Sequence, residues 1–307
     1  MRYRNLGLFV TLAAVWGSAF MAIKAGVGDP ADPAYFFDAP VFFAALRFDI
    51  AGVLMLGYAA WATDHWIPER RVEWLAVAVG TVFIIVGYHT LLFIGQRGTT
   101  SAASAVIVSL SPVLTTAFAR AFLPDERLTA VGAVGMLLGL VGVTVLARPT
   151  PANLVGSRFE ALVFGAALCF ALGSVLTRRL DSGLPIETME AWSMLAGAVL
   201  MHGLSLGLGE PVSGVPPLRE TAALLYLAVV ASALGFLIYF DLLERLGAIE
   251  INLVSYVAPV FAALAGFLFL NEVIDLPTVV GFVVILVGFG LVKRRSIRAE
   301  LRSYRNR

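Results

Sequence analysis

Charge is scarce in this chain. Only 14% of its 307 residues are Asp, Glu, Lys or Arg, and 59% are apolar. Soluble domains average about 25% charged residues. A soluble domain of this size needs far more polar surface, so an ordinary soluble enzyme and a disordered chain are both excluded. Cysteine is nearly absent as well. Cys169 stands alone in an apolar run, which excludes an intrachain disulfide and leaves a small packed hydrophobe. Three scattered histidines and that one cysteine make no metal site. The net charge of +1 offers no global basic field for nucleic acid. No Walker A stretch occurs, and no glycine-rich phosphate loop follows a strand, so no nucleotide cofactor is expected. Ser-Pro and Gly-x-Ser fragments lie in apolar stretches without a partnered His and Asp, so no catalytic residues are assigned.

What the chain does have is long apolar runs, with a mean hydropathy of +0.88. A helix crossing about 30 Å of hydrocarbon needs about 20 such residues. Ten windows meet that need: 6–24, 40–62, 73–95, 100–122, 129–147, 159–177, 187–208, 220–242, 250–270 and 276–292. The breaks between them carry charge, Pro or Gly, and none holds a second soluble domain. The expected fold class is an all-α polytopic membrane protein with ten transmembrane helices. Arg2 and Arg4 before Leu6–Ala22 imitate a signal peptide, but the apolar stretch exceeds the usual h-region of about 7–15 residues. A retained first helix is expected.

An even span count puts both termini on one side. With the termini inside, cytoplasmic segments hold 16 of the 22 basic residues, seven of them between Lys293 and Arg307, and outer segments hold 5. This bias predicts cytoplasmic termini in the plasma membrane, with most of the weight carried by the two tails.

The third-to-fifth spans resemble the eighth-to-tenth. Ser111-Pro112 is followed by Glu126, Gly135 and Gly142, and Ala258-Pro259 by Glu272, Gly281 and Gly288. Glu to Gly is nine residues in both sets, and Gly to Gly is seven. Five spans per half is an odd number, so the second half must enter the membrane in the opposite sense. The expectation is two inverted five-helix repeats, 1–148 and 149–295, with a basic cytoplasmic tail at 296–307. Such halves suit alternating access around a midplane site.

The order of these motifs resembles the EamA-type branch of the drug/metabolite transporter superfamily. Trp16-Gly17-Ser18-Ala19-Phe20 and Arg47-Phe48 carry the resemblance. So do Ser111-Pro112-Val113 with Pro124–Arg127, Ala258-Pro259-Val260 with Asn271-Glu272, and Leu242–Gly247. It covers roughly 6–292. It implies ten helices, a five-plus-five inverted repeat, and export or exchange of small metabolites, without naming one substrate. Cys169–Gly173 departs from the pattern in lacking Trp, and Asp241 stands where related sequences commonly carry Asn.

Polar groups inside spans are costly and mark candidate sites. Trp16, Tyr88, Tyr239 and Tyr256 offer apolar faces with polar edges for a small organic solute. His89 offers an imidazole beside them, and Ser18, Ser174, Asn252 and Ser255 offer orienting hydrogen bonds. Pro112 and Pro259 are read as paired bends near mid-span, and Glu126 and Glu272 as capping or gating residues at helix ends. Asp49 and His89 are candidates for proton coupling. Arg47 is read as snorkelling or pairing with another helix, since at i,i+2 it does not face Asp49. His202 is a weaker candidate. Trp61, Trp66 and Trp74 read as an interfacial belt, with Trp192 ambiguous. Gly132, Gly135, Gly139 and Gly142 make a small face for helix packing or for dimerisation. Expected partners are a small-molecule substrate and membrane lipid, with no nucleic acid, as a monomer or homodimer. The expected cargo is amino acids, aromatic ones first. A channel-like or lipid-handling bundle is the alternative, and an intramembrane enzyme a weaker one.

Overall fold

The structure is a computed structural model that describes residues 2–27, 38–122, 130–147, 158–211, 216–246, 251, 253–292 and 294. All regular structure among them is helical. The helices are α1 (Arg2–Val27), α2 (Pro40–Ala62), α3 (Arg71–Gln96), α4 (Ser101–Phe122), α5 (Ala130–Ala147), α6 (Arg158–Leu180) and α7 (Ile186–Leu208). Then come α8, built from Leu218–Leu225, Tyr226–Leu234 and Gly235–Leu246, α9 (Val254–Leu270) and α10 (Leu276–Val292). Seven of these helices contain stretches long and apolar enough to cross a membrane, and the three shorter apolar ones are α5, α9 and α10.

The apolar residues divide into an inner and an outer set. Phe43, Phe48, Phe93, Met55, Met194 and Met201 are fully buried between helices. Phe267, Leu268 and Phe269 of α9 are 59%, 67% and 70% exposed. Such a continuous apolar exterior is unstable in water and suits hydrocarbon. The chain is therefore a multi-span membrane protein.

The helices pair in a pattern that survives exchange of the two halves. α5 packs along α10, and α2 along α7. α1 packs on α9, as α6 does on α4. α8 packs on α1, as α3 does on α6, and α2 meets α8 as α7 meets α3. The closest approaches repeat too. A Cβ added at Gly142 would lie 2.7 Å from the Gly281 oxygen, and one added at Gly288 would lie 2.5 Å from the Gly135 oxygen. Only glycine lets the two backbones come this near. Gly135 and Gly142 of α5 thus lie against α10 of the same chain, while a Cβ at Gly139 would meet Leu110 of α4.

Two helix starts are held by carboxylates from the other half. Glu210, beyond α7, accepts the Val41 and Phe42 N–H groups at 3.0 and 2.9 Å, capping α2, whose own Ala39 offers no side-chain acceptor. Glu272, beyond α9, accepts the Ser101 N–H at 3.0 Å and its hydroxyl at 3.2 Å, at the start of α4. These donors have no intrahelical acceptor, so the caps join the halves where helix ends would otherwise fray. Burial pushes the Glu272 carboxyl above its ordinary pKa, against the opposing pull of Ser101 and Lys24. The capping reading of Glu272 has its geometry here; Glu126 lies outside the described residues.

The two prolines lie within their spans in different local settings. α4 is interrupted at Ser109–Leu110, and Pro112 is the second residue of the renewed helix. That position suits it, because its missing N–H would have no partner there. Pro259 lies inside α9, six residues into the Val254–Leu270 helix. The Trp192 indole donates to the Trp66 carbonyl at 2.9 Å and its ring meets Trp74 edge-on at 5.4 Å.

Candidate functional site

The centre of the bundle is organised by two departures from α-geometry. Gly80–Gly87 in α3 and Tyr226–Leu234 in α8 are π-helical. A π stretch shifts the ladder to i→i+5 and leaves a carbonyl without its usual i+4 donor. After the first stretch the Tyr88 N–H bonds Phe83 and Ile85, bypassing Ile84. After the second, the Gly235 N–H bonds Val230 and Ser232, bypassing Ala231. The Ala231 carbonyl instead accepts the Trp16 indole N–H at 3.1 Å. In the first half the His89 ring turns back on the same turn, with Nδ1 3.0 Å from the Ile85 carbonyl. A carbonyl only accepts, so Nδ1 carries the proton.

Two side-chain groups gather at these stretches. In the first, Trp16 of α1 lies 5.5 Å from Tyr239 and 5.9 Å from Phe236 of α8. Below it, the Ser18 hydroxyl meets the Tyr226 hydroxyl at 2.6 Å while also reaching the Ala14 carbonyl. In the second, Arg47 of α2 donates from Nε to the Ser232 hydroxyl at 3.1 Å, with its guanidinium 5.1 Å from the Phe48 ring. Tyr88 and His89 lie within electrostatic reach of Arg47. The His89 ring meets Phe48 at 4.4 Å, and Tyr88 meets Phe170 of α6 at 5.5 Å. Ala231 and Ser232 are neighbours, so one turn of α8 joins the two groups. A third polar group, Glu190 of α7, is buried with Oε2 unpartnered, and it acts electrostatically on Tyr239.

The sequence candidates therefore divide. Trp16, Ser18, Tyr88, His89 and Tyr239 converge on the π stretches. Ser174 donates back to the Phe170 carbonyl at 2.7 Å, within its own helix. Ser255 is half-buried in the first turn of α9. Tyr256 stacks on Phe289 of α10 at 4.1 Å, with its hydroxyl unpartnered. Asn252 lies outside the described residues. Asp49 turns away from Arg47 and pairs with His202 of α7 at 2.7 Å. Tyr226, Ser232 and Glu190 are additions that the sequence reading did not single out. All three are polar residues in apolar spans, which was their one available signal.

The described residues form a helical membrane bundle whose polar and aromatic side chains gather at the two π stretches, and likeness to a known family gives its class, the membrane transporters. The profile of the EamA-like transporter family matches residues 5–148 and again 158–294, and the chain belongs to that family. It is 29% identical over 272 residues to the uncharacterized inner membrane transporter YedA of Escherichia coli, covering 87% of this chain and 84% of that one. It is 28% identical to an uncharacterized transporter of Archaeoglobus fulgidus, covering 94% of this chain and 98% of that one. A solved crystal structure matches with a TM-score of 0.63 at 25% identity, over 95% of this chain and 98% of that one.

Proposed function

We propose that this protein is a secondary transporter of small metabolites in the cytoplasmic membrane, working by alternating access between two inverted five-helix halves. All ten helices cross the bilayer, and both termini are cytoplasmic. The observation that carries the reading is the exchange relation between halves. Gly142 meets Gly281 as Gly288 meets Gly135, and each half has a π stretch in its third helix. Two halves with matching internal contacts can trade conformations, so that an inward-open arrangement of one equals an outward-open arrangement of the other.

The solute sits where the π stretches converge, among Trp16, Ser18, Tyr88, His89 and Tyr239. One indole and two phenol rings with few polar groups suit a small amphipathic solute, amino acids and especially aromatic ones first. Pro112 and Pro259 mark the segments that bend, while Glu272, and Glu126 by the repeat, hold helix ends as the halves rock. Asp49, through its pairing with His202, is the site for proton coupling, with His89 second. The test is counterflow in proteoliposomes with radiolabelled metabolites, with and without a pH gradient. Saturable counterflow is expected. Flux that neither saturates nor exchanges marks a channel-like bundle instead.

A further inference from the structure

We infer that Arg47 is the anchor for a carboxylate on the transported solute. The inference rests on the transporter reading and adds the charge class of the cargo. Arg47 is 7% exposed, within α2 and on its inward face. Its Nε donates to Ser232, and among the described residues no carboxylate forms an ion pair with it. The nearest acid in sequence, Asp49, is occupied by His202 across the α2–α7 seam. The ionisable groups that act on Arg47 are Tyr88 and His89, and neither supplies a negative charge at neutral pH in this setting.

A guanidinium carries five N–H donors in a planar fork and does not readily give up its charge. The Ser232 hydroxyl occupies one of them, and no protein acceptor among the described residues engages the two terminal nitrogens. A buried, unpaired charge in a bilayer is strongly unfavourable, and is retained where it meets a functional counter-ion. The fork matches a carboxylate in bidentate geometry. The guanidinium lies 5.1 Å from the Phe48 ring, and the Tyr88 ring meets Phe170 at 5.5 Å. Ser232 leads along α8 to the Trp16 and Tyr239 rings. A small organic acid fits this set, with its carboxylate on Arg47 and its apolar body along the aromatic rings.

The test uses the full-length protein and three matched pairs, phenylalanine, leucine and threonine, each against its own amide, which lacks the negative charge. Counterflow is measured in proteoliposomes, and thermal unfolding of the detergent-solubilised protein is measured with each compound. At least one acid is expected to exchange and to raise the unfolding temperature, with its amide at least about tenfold weaker, the factor that 1.4 kcal/mol of lost charge-assisted bonding gives. Arg47→Gln removes the acid's advantage, and Arg47→Lys restores part of it. If Arg47→Gln fails to fold, the wild-type acid-to-amide ratio decides alone. Amides equal to acids in the wild type overturn the anchor and leave transport standing. No shift and no exchange with any of the three acids also overturns it. An acid that stabilises the wild type but not Arg47→Gln, without counterflow, supports the anchor and counts against the transporter reading.

Discussion

The contact between α5 and α10 offers a direct perturbation of the relation between the halves. Alanine at Gly142 places a Cβ 2.7 Å from the Gly281 oxygen and 2.7 Å from the Ile285 side chain, where ordinary contact begins near 3.4 Å. Alanine at Gly288 places one 2.5 Å from the Gly135 oxygen and 2.9 Å from the Gly139 nitrogen. The obstructing atoms are mostly backbone, so a helix must move by several tenths of an ångström. Overpacking of this kind costs about 1–3 kcal/mol. Alanine in a helix recovers about 0.5–1 kcal/mol relative to glycine. The net expectation is a loss of roughly 0–2.5 kcal/mol for each variant. Gly290→Ala is the internal control, because a Cβ there meets nothing within 4 Å. It is expected to stabilise slightly. Thermal unfolding in detergent reads all three variants. If Gly142→Ala and Gly288→Ala match Gly290→Ala, the halves do not meet at these glycines and the exchange relation fails with them.

Three further expectations follow from the same geometry. Glu210→Ala strips the acceptors from the Val41 and Phe42 N–H groups and should cost about 0.5–2 kcal/mol of stability, the usual range for a lost cap, read by thermal unfolding; an unchanged unfolding temperature removes Glu210 as a cap. The folded Glu272 carboxyl has a raised pKa, so its stability advantage over Glu272→Gln is fully present below the unfolded carboxyl pKa of about 4.3 and is lost as pH rises through the higher folded value. A gap between the two proteins that instead widens with pH, in unfolding measured across that window, contradicts the assigned direction. Trp16→Phe keeps the aromatic body but leaves the Ala231 carbonyl without its indole donor. A loss of about 1–3 kcal/mol is expected, along with weaker half-saturation in counterflow, and equal values for the two proteins would separate Trp16 from the π stretch.

Much of the architecture was legible because hydrocarbon enforces a simple rule. Each spanning segment must satisfy its own backbone, so long apolar runs read as helices one by one. The Glu–Gly–Gly spacing was equally legible, because close helix approach needs glycine at fixed intervals, and Gly135, Gly142, Gly281 and Gly288 indeed meet in pairs. The candidate site was legible in part. Trp16, Ser18, Tyr88, His89 and Tyr239 stood out as polar edges in apolar runs, and they converge.

Tertiary structure alone decided the partners. The apolar sequences of Gly80–Gly87 and Tyr226–Leu234 carry no mark of their π geometry, which depends on packing and on side chains such as Trp16 taking up the bypassed carbonyl. Arg47 and Asp49 sit two residues apart in sequence, and the α2 helix sends one inward to Ser232 and the other across to His202. No local pattern sets those destinations, because they are fixed by helices more than 150 residues further along the chain. Composition and the apolar runs determined that this is a helical membrane protein, and the Glu–Gly–Gly spacing pointed to its duplication. Which of its few polar groups are satisfied by one another, and which are left without a protein partner among the described residues, was decided only when α2, α3, α7 and α8 packed together.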